Sequence, residues 1–134
     1  MKEYTYKLDF KVRDYELDME GVVNNATYMN YLEHARHEFL LSMGIDFAEL
    51  AEKNLPLMVA KAELEYKYPL RSGDKFWVGI NIHDHSKVRV VFEQDIYSYP
   101  DNKLILKAKI TGTGLNERGR PRLPDSVINK LGAL

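Results

Sequence analysis

Polar and apolar residues alternate over positions 4–12 of the chain, and this period of two predicts a half-buried β-strand. The apolar positions of that strand are Tyr4, Tyr6, Leu8, Phe10 and Val12. A loop of acidic and small residues follows over positions 13–24. From about Asn25 the apolar residues recur every three or four positions, which is typical of an amphipathic helix.

This helix should be about four turns long, with Asn25 as its N-cap and Gly44 just beyond its end. One face carries Tyr28, Tyr31, Leu32, Ala35 and Phe39, and the other carries mostly Asn30, Glu33, Arg36 and His37. We expect Glu33 and Arg36 to form a structural pair on the flank of the helix. A second, short helix is predicted over residues 46–53, capped by Asp46.

The second half of the chain has the patterns of four strands separated by turns. They are predicted near residues 57–68, 76–82, 88–92 and 104–110, with polar turns at 83–87 and 100–103 and a last helix at 126–131. Strands joined by short turns pair antiparallel, so we expect these four to form a meander. A strand, a long helix and then four strands indicate an α+β domain with the helix on one sheet. Such a sheet leaves its edges exposed, and we therefore expect at least a dimer.

The composition is that of one globular domain. The chain has 134 residues, 45% of them hydrophobic, and we predict a single domain over residues 1–134. The formal net charge of −1 argues against a nucleic-acid partner. The absence of cysteine excludes disulfides, thiolate ligands and a cysteine nucleophile, and suits a reducing compartment. Neither a membrane span nor a signal peptide is predicted, so we expect a cytoplasmic protein.

The candidate catalytic residue is Asp18, which precedes the sequence GVVNN at residues 21–25 and the start of the long helix. A helix N-terminus has backbone N–H groups without partners, and these can stabilise the charge that develops on a carbonyl oxygen. A carboxylate beside them can activate water or attack the carbonyl carbon. On spacing alone, an aspartate here is more often a cap or a solvated turn residue. Asn24 and Asn25 have the same alternative, since asparagine caps helices.

The chain resembles the hotdog-fold thioesterases of the 4-hydroxybenzoyl-CoA thioesterase-like group. The resemblance covers nearly the whole chain and is most specific in VRDYELD, GVVNNA and RHEF, which a plant plastid branch of acyl-acyl carrier protein thioesterases shares almost letter for letter. It implies a hotdog fold, in which a five- or six-stranded antiparallel sheet wraps around one long helix. Many bacterial relatives have an aromatic residue and a histidine or proline in place of Asn24 and Asn25. This departure favours a fatty-acyl over an aromatic-acyl substrate.

The resemblance implies an enzyme that hydrolyses an acyl thioester of coenzyme A or of an acyl carrier protein. Coenzyme A or phosphopantetheine would belong to the substrate, no cofactor is expected, and a homodimer or homotetramer is implied. Asp18 falls on the catalytic aspartate of the family, as base or nucleophile, and the N–H near Asn25 falls on the group that polarises the carbonyl. Gly21 falls on the glycine that lets the loop approach the substrate. The side chains of Asn24 and Asn25 are candidates to bind the carbonyl or the water.

Seven further residues are candidates for contacts with the substrate: Val23, Tyr28, Met58, Val59, Ser86, Lys87 and Arg89. Val23 and Tyr28 belong to the motif itself. Met58 and Val59 would line an acyl tunnel, although a place in the core is the simpler interpretation. In the family the hairpin that carries the last three often meets the nucleotide of coenzyme A, although each residue alone suggests only a polar turn.

No metal site is predicted. Glu33 with His37, and His34 with Glu38, are ordinary pairs four residues apart on a helix, and no third ligand is evident. Two other functions remain for the same fold. A hydratase or dehydratase would need a histidine in the loop before the helix, where there is none. A non-catalytic acyl-thioester-binding or regulatory module would keep the helix start and would have no need of Asp18.

Overall fold

The structure is a computed structural model that describes residues 2–134. Its elements are β1 (Tyr6–Lys11), α1 (Asn25–Ser42), α2 (Phe47–Glu52), β2 (Leu57–Tyr66), β3 (Lys75–His85), β4 (Arg89–Ser98), β5 (Leu104–Gly114) and α3 (Asp125–Gly132). The five strands form one antiparallel sheet in the order β1-β3-β4-β5-β2. In the part of the chain described, no helix combines the length and apolar character needed to cross a membrane.

The core lies between α1 and the inner face of the sheet. Alternate residues of the central strands face the helix and are fully buried, among them Val78, Ile80, Ile96, Leu106 and Ile110. The predicted apolar face of α1 is buried against them, because its residues recur with the period of the helix. Each such side chain contributes about 1.5–3 kcal/mol on burial. This packing fixes the position of the α1 N-terminus.

Arg36 departs from the predicted pattern. It was expected on the polar face of α1, yet it is only 5% exposed. Its Nη1 donates to Oε1 of Gln94 at 3.0 Å, and Nε2 of Gln94 donates to the carbonyl of Leu32 at 3.0 Å. The predicted pairing of Glu33 with Arg36 is wrong, and Glu33 lies instead 3.9 Å from Nε2 of His37. Position 36 borders the apolar face, so its long side chain can turn inward.

The predicted meander is correct for β3, β4 and β5 and wrong for β2. This strand pairs with β5, with Leu57 opposite Gly114 and Tyr66 opposite Leu106, and lies at an edge of the sheet. The connection from β2 to β3 passes the start of α1, where Leu70 is buried and its carbonyl accepts from the N–H of Val23 at 2.8 Å. Alternation of side chains identifies a strand but does not identify its neighbour.

The first strand begins later than predicted, at Tyr6. Tyr4 folds instead over the outer face of the sheet, where its ring lies 2.6 Å from the place that a Cβ on Gly79 would occupy. Its hydroxyl donates to Oδ2 of the buried Asp95 at 2.5 Å. At the other end of the sheet β3 continues to His85, so the predicted turn at 83–87 is shorter and covers residues 86–88.

Two predicted helix boundaries are confirmed, the end of α1 before Gly44 and the start of α2 at Asp46. Gly44 has a φ of +82°, and the N–H of Ile45 donates to the carbonyl of Leu40 at 2.9 Å, which is a Schellman ending. Asp46 caps α2 by accepting from the N–H of Ala48 at 2.9 Å.

Candidate functional site

The segment between β1 and α1 forms a small hairpin that carries Asp18 and leads into the helix start. Leu17 and Val23 form an antiparallel bridge. The N–H of Asp18 donates to the carbonyl of Val22 at 2.8 Å, and the N–H of Asn24 donates to the carbonyl of Glu16 at 3.0 Å. Residues opposite one another in such a ladder lie about 5 Å apart. Glu16 therefore lies opposite Asn24, the N-cap of the helix. The half-buried Asp18 lies two residues further along the same hairpin.

The turn of this hairpin explains Gly21. The N–H of Gly21 donates to the carbonyl of Asp18 at 3.2 Å, and Gly21 itself has a φ of +76°, which is the usual end of a three-residue hairpin loop. A Cβ at this position would meet no atom within 4 Å. Within one chain the glycine is thus required by its backbone conformation. A close approach to the substrate stays a prediction.

Asp18 keeps one carboxylate oxygen free. Its Oδ1 accepts from the N–H of Glu20 at 2.8 Å, within the same turn. No donor among residues 2–134 reaches its Oδ2. The turn therefore orients the carboxylate and leaves one oxygen available for a water molecule or a carbonyl carbon.

Asn24, and not the predicted Asn25, is the N-cap of α1. Its Oδ1 accepts from the N–H of Ala26 at 2.9 Å, and its carbonyl accepts from the N–H of Thr27 at 2.9 Å. Both asparagines are exposed. The N–H of Asn25 has no acceptor in the described part of the chain. The helix start thus presents one free backbone donor, at residue 25.

Glu16 anchors the loop to α1. Its Oε1 accepts from the backbone N–H of Arg13 at 2.7 Å and from the hydroxyl of Tyr31 at 2.9 Å. Burial, and then the bond to Glu16, raise the pKa of Tyr31, so its hydroxyl remains a donor at neutral pH. The Glu16 carboxylate is thus directed to these two donors.

Val23 and Tyr28 support the site from the core. They are 2% and 3% exposed. Leu70 joins them, since its carbonyl accepts from the N–H of Val23 at 2.8 Å and its N–H donates to the hydroxyl of Tyr28 at 3.1 Å. Burial raises the pKa of Tyr28. Their predicted contact with substrate stays a prediction.

Known proteins are similar to this chain in both sequence and fold. The family model described as the thioesterase-like superfamily matches residues 12–131. The chain belongs to the thioesterase-like superfamily. An acyl-acyl carrier protein thioesterase of the Arabidopsis thaliana chloroplast is 44% identical over 131 residues, which are 97% of this chain and 68% of that protein.

Solved structures agree with this assignment. The crystal structure of a hypothetical protein from Aquifex aeolicus gives a TM-score of 0.87 at 27% identity and covers 94% of this chain and 98% of that one. A 1,4-dihydroxy-2-naphthoyl-CoA thioesterase from Synechocystis has the same fold, with a TM-score of 0.86 at 20% identity over 96% of each chain. The predicted hotdog fold is confirmed, and so is the prediction of an enzyme that hydrolyses thioesters.

The thioesterase contains a cavity of about 330 Å³ between α1 and the side of the sheet formed by β4, β5 and β2. Met58 and Val59 lie at its rim and are 40% and 44% exposed, so they do not belong to the core. Their contact with an acyl chain stays a prediction. The buried Arg36 forms part of the wall of the same cavity.

Ser86, Lys87 and Arg89 lie at the opposite end of the sheet from Asp18. Oγ of Ser86 accepts from the N–H of Arg89 at 3.2 Å and closes the turn between β3 and β4. The loop with Asp18 follows β1, whose last residue pairs with the first residue of β3. At about 3.3 Å per residue, the length of β3 separates the two places by roughly 30 Å. One chain of the thioesterase therefore does not bring these three residues to Asp18.

The histidines of α1 make aromatic contacts. The ring of His34 meets Phe10 edge-on at 5.8 Å, and the ring of His37 stacks on Phe47 at 4.0 Å. Burial lowers the pKa of His37 and favours its neutral form. Among residues 2–134, no three His, Cys, Asp or Glu side chains are grouped so as to hold a metal ion.

Sequence reasoning missed Arg36 and Gln94 as a buried polar pair in this thioesterase. A signal was available in β4, where Gln94 interrupts the alternation of Val90, Phe92 and Ile96. A polar residue at a core-facing position needs a buried partner. That argument predicts a partner for Gln94, although it does not identify Arg36.

Proposed function

We propose that this thioesterase hydrolyses fatty-acyl thioesters, with Asp18 as general base or nucleophile and the backbone N–H of Asn25 as donor to the oxyanion. One observation carries the proposal. The N–H of Asn25 has no acceptor in the described residues while the N–H groups of Ala26 and Thr27 are capped, and the hairpin that leads to it carries Asp18 with a free carboxylate oxygen. A positioned donor of this kind is worth roughly 3 kcal/mol in the transition state.

As a base, Asp18 would use its free Oδ2 to take a proton from water while the water oxygen bonds to the carbonyl carbon. The carbonyl electron pair moves to the oxygen, where the Asn25 N–H stabilises it. Return of that pair breaks the carbon–sulfur bond and expels a thiolate, which takes up a proton. As a nucleophile, Asp18 would bond to the carbonyl carbon, expel the thiolate and leave an anhydride that water hydrolyses. Neither route needs a cofactor beyond the thiol carrier of the substrate.

The acyl carrier is coenzyme A or the phosphopantetheine arm of a carrier protein. The 44% identity to a chloroplast acyl-acyl carrier protein thioesterase supports the second carrier. A long-chain acyl-CoA thioesterase from Escherichia coli, 28% identical over 101 residues, supports the first. The apolar cavity supports an aliphatic acyl group, with Met58 and Val59 at its entrance. A cytoplasmic location stays a prediction.

A homodimer would complete the site. The free edge of β2 can pair with a second β2, and antiparallel pairing would place the start of one strand beside the end of the other. Tyr66 ends β2 next to the helix start, since its hydroxyl donates to the carbonyl of Asn25 at 3.3 Å. The turn with Lys87 and Arg89 lies at the other end of the sheet, so the partner's copy would come to the end where Asp18 lies. A homotetramer would be two such dimers.

The deciding experiment is thiol release from a panel of acyl-CoA and acyl-carrier-protein thioesters. We expect Asp18→Asn to lower turnover at least ~100-fold with the fold unchanged. Glu20→Gln is the matched control, because it removes a neighbouring exposed carboxylate of the same turn and should keep turnover within about threefold. Normal turnover in Asp18→Asn would exclude the assigned role. No release from any thioester by the wild type would favour a binding module instead.

The two routes for Asp18 can be separated by a single turnover in H₂¹⁸O. A general base puts the heavy oxygen into the product acid. A nucleophile whose anhydride is opened at the aspartyl carbon puts it into Asp18, which mass spectrometry of the corresponding peptide detects.

A further inference from the structure

Arg36 is a buried cation with a single hydrogen-bond partner. Its Nη1 donates to Gln94, whose own amide nitrogen is engaged by Leu32. In the described part of the chain, no other acceptor lies within hydrogen-bond distance of the guanidinium, and no carboxylate oxygen lies within 4.0 Å. Burial lowers the pKa of Arg36 to about 10, which still leaves it charged at neutral pH. A guanidinium has five N–H donors. No Arg36 nitrogen is among the buried polar atoms without a partner in the described residues, which are Oε1 of Glu93 and Oδ1 of Asp95, so the remaining Arg36 donors are accessible to a ligand in the cavity.

Arg36 is one of the residues that line the cavity described above. Its floor is apolar and at most 3% exposed, and it consists of Phe92, Ile110, Leu123, Val127 and Leu131. Its rim is partly open to solvent at Glu33, His37, Met58 and Val59, whose exposure lies between 40% and 56%. Arg36 lies in the wall between these two zones, since Gln94 next to it is completely buried and Glu33 one turn before it is exposed.

This arrangement matches an amphiphile that has one anionic end. Glu33 attracts the cation of Arg36 from the exposed rim without contacting it, and the fork of an arginine is the geometry that pairs best with a carboxylate. The apolar floor takes an aliphatic chain. We propose that the cavity binds a fatty carboxylate, with its chain on the floor and its carboxylate paired with Arg36.

Glu33 does not prevent this pairing. Its side chain is 56% exposed and lies 3.9 Å from His37, so solvent screens its repulsion of the ligand. Because the negative charge of Glu33 lies at the rim, a ligand carboxylate is better placed deeper in the cavity, at the guanidinium of Arg36.

The Arg36 end of the cavity is distant from Asp18 and Asn25, although the cavity itself is the one proposed above for the acyl group. Arg36 follows Asn25 by 11 residues on α1, a distance of about 16 Å along the helix axis. The inference therefore does not rest on the proposed catalytic roles, and it can fail or succeed independently of them. Two sources supply the same chemistry: a free fatty acid, or an acyl thioester whose chain ends in a second carboxylate.

Calorimetric titration of the full chain with dodecanoate and with dodecanol tests the proposal. The two probes share a chain and differ in the end group. We expect dodecanoate to bind at least about 10-fold more tightly, as a charged hydrogen bond warrants. Arg36→Met should remove that preference and leave the affinity for dodecanol within about threefold. Arg36→Lys, which keeps the charge, should keep part of the preference for dodecanoate over dodecanol. Arg122→Met, on the surface, should keep all of that preference. Asp18→Asn should bind dodecanoate like the wild type.

Equal affinity of the wild type for the acid and the alcohol would overturn the proposal, as would an unchanged preference in Arg36→Met. Carbonyl-labelled [¹³C]dodecanoate gives a test that needs no variant. Pairing with Arg36 lowers the pH at which the bound carboxyl titrates, whereas an apolar site raises it, and a raised value would also overturn the proposal.

A half-thioester of dodecanedioate distinguishes the sources. Selective loss of kcat/KM on this compound in Arg36→Met, with plain dodecanoyl thioester unaffected, would assign the carboxylate to the far end of a substrate chain. An equal effect on both, together with weakened dodecanoate binding, would assign it to a free acid.

Discussion

The hydroxyl of Tyr31 donates to Oε1 of Glu16 at 2.9 Å, and the same oxygen accepts from the backbone N–H of Arg13 at 2.7 Å. One carboxylate oxygen therefore joins the second turn of α1 to the segment that leads to Asp18. The position of the candidate nucleophile relative to the helix start depends on this bond as well as on the hairpin.

We expect Tyr31→Phe to lower the free energy of unfolding by about 1–2 kcal/mol, because it removes one of the two donors to a partly buried carboxylate oxygen. Denaturation in urea measures the change. Tyr15→Phe is the matched control, since Tyr15 is 77% exposed and its hydroxyl serves only the side chain of Arg13, and it should cost less than about 0.5 kcal/mol. Equal losses in the two variants would contradict the role given to the Tyr31 bond.

Asn25→Pro should remove the proposed oxyanion donor without unfolding the helix. Residue 25 is the first residue of α1, where proline is well tolerated, and Asn24 before it has a φ of −60° and a ψ of 138°, which suit a following proline. We expect turnover to fall about 10²–10³-fold with little change in circular dichroism. Asn25→Ala keeps the N–H and should keep most of the activity. If Asn25→Ala is as inactive as Asn25→Pro, the side chain and not the backbone carries the function.

Gly21→Ala should destabilise the chain by about 1 kcal/mol, because residue 21 has a φ of +76° and a Cβ disfavours that conformation. Gly132→Ala provides a change of the opposite sign. Gly132 lies in α3, where an added Cβ would meet no atom within 4 Å, and alanine favours the helix by up to about 1 kcal/mol. Thermal melting of both variants measures the difference, and a stabilised Gly21→Ala would refute the conformational explanation.

Acid should weaken the contact between α1 and α2. Burial lowers the pKa of His37, so the folded chain binds a proton there less readily than the unfolded chain does. The corresponding contribution is present above a pH of about 6.5, the unfolded value, and is lost as the pH falls from there through the lower pKa of the folded chain. His37→Gln should flatten this part of the stability profile between about pH 7 and pH 5. A profile with the same slope in both proteins would assign the acid sensitivity to other groups.

The sequence predicts the elements of this chain better than their relations to one another. Periodicity locates the strands and the buried face of α1, because burial acts on every residue of a repeating face. It does not locate the partner of β2, since that depends on where the connection through Leu70 can pass. Two adjacent asparagines offer the same capping chemistry, so the pattern does not distinguish Asn24 from Asn25 as the N-cap.

The residues of the candidate site also differ in how well the sequence predicts them. Asp18 and the helix start are local in sequence, and a motif of adjacent residues describes them. Arg36 and Gln94 lie on different elements, and their pairing exists only after α1 has packed on β4. Ser86, Lys87 and Arg89 lie at the opposite end of the sheet from Asp18, so their place in the site would require the proposed pairing of two chains.

The ring of Tyr4 occupies the space that a side chain on residue 79 would need. These two positions are far apart along the chain, and neither is part of the catalytic motif. A substitution that adds a side chain at residue 79 would be tolerated only after the aromatic ring at residue 4 had been lost. Among homologous sequences, the identities of these two residues should therefore be inherited together.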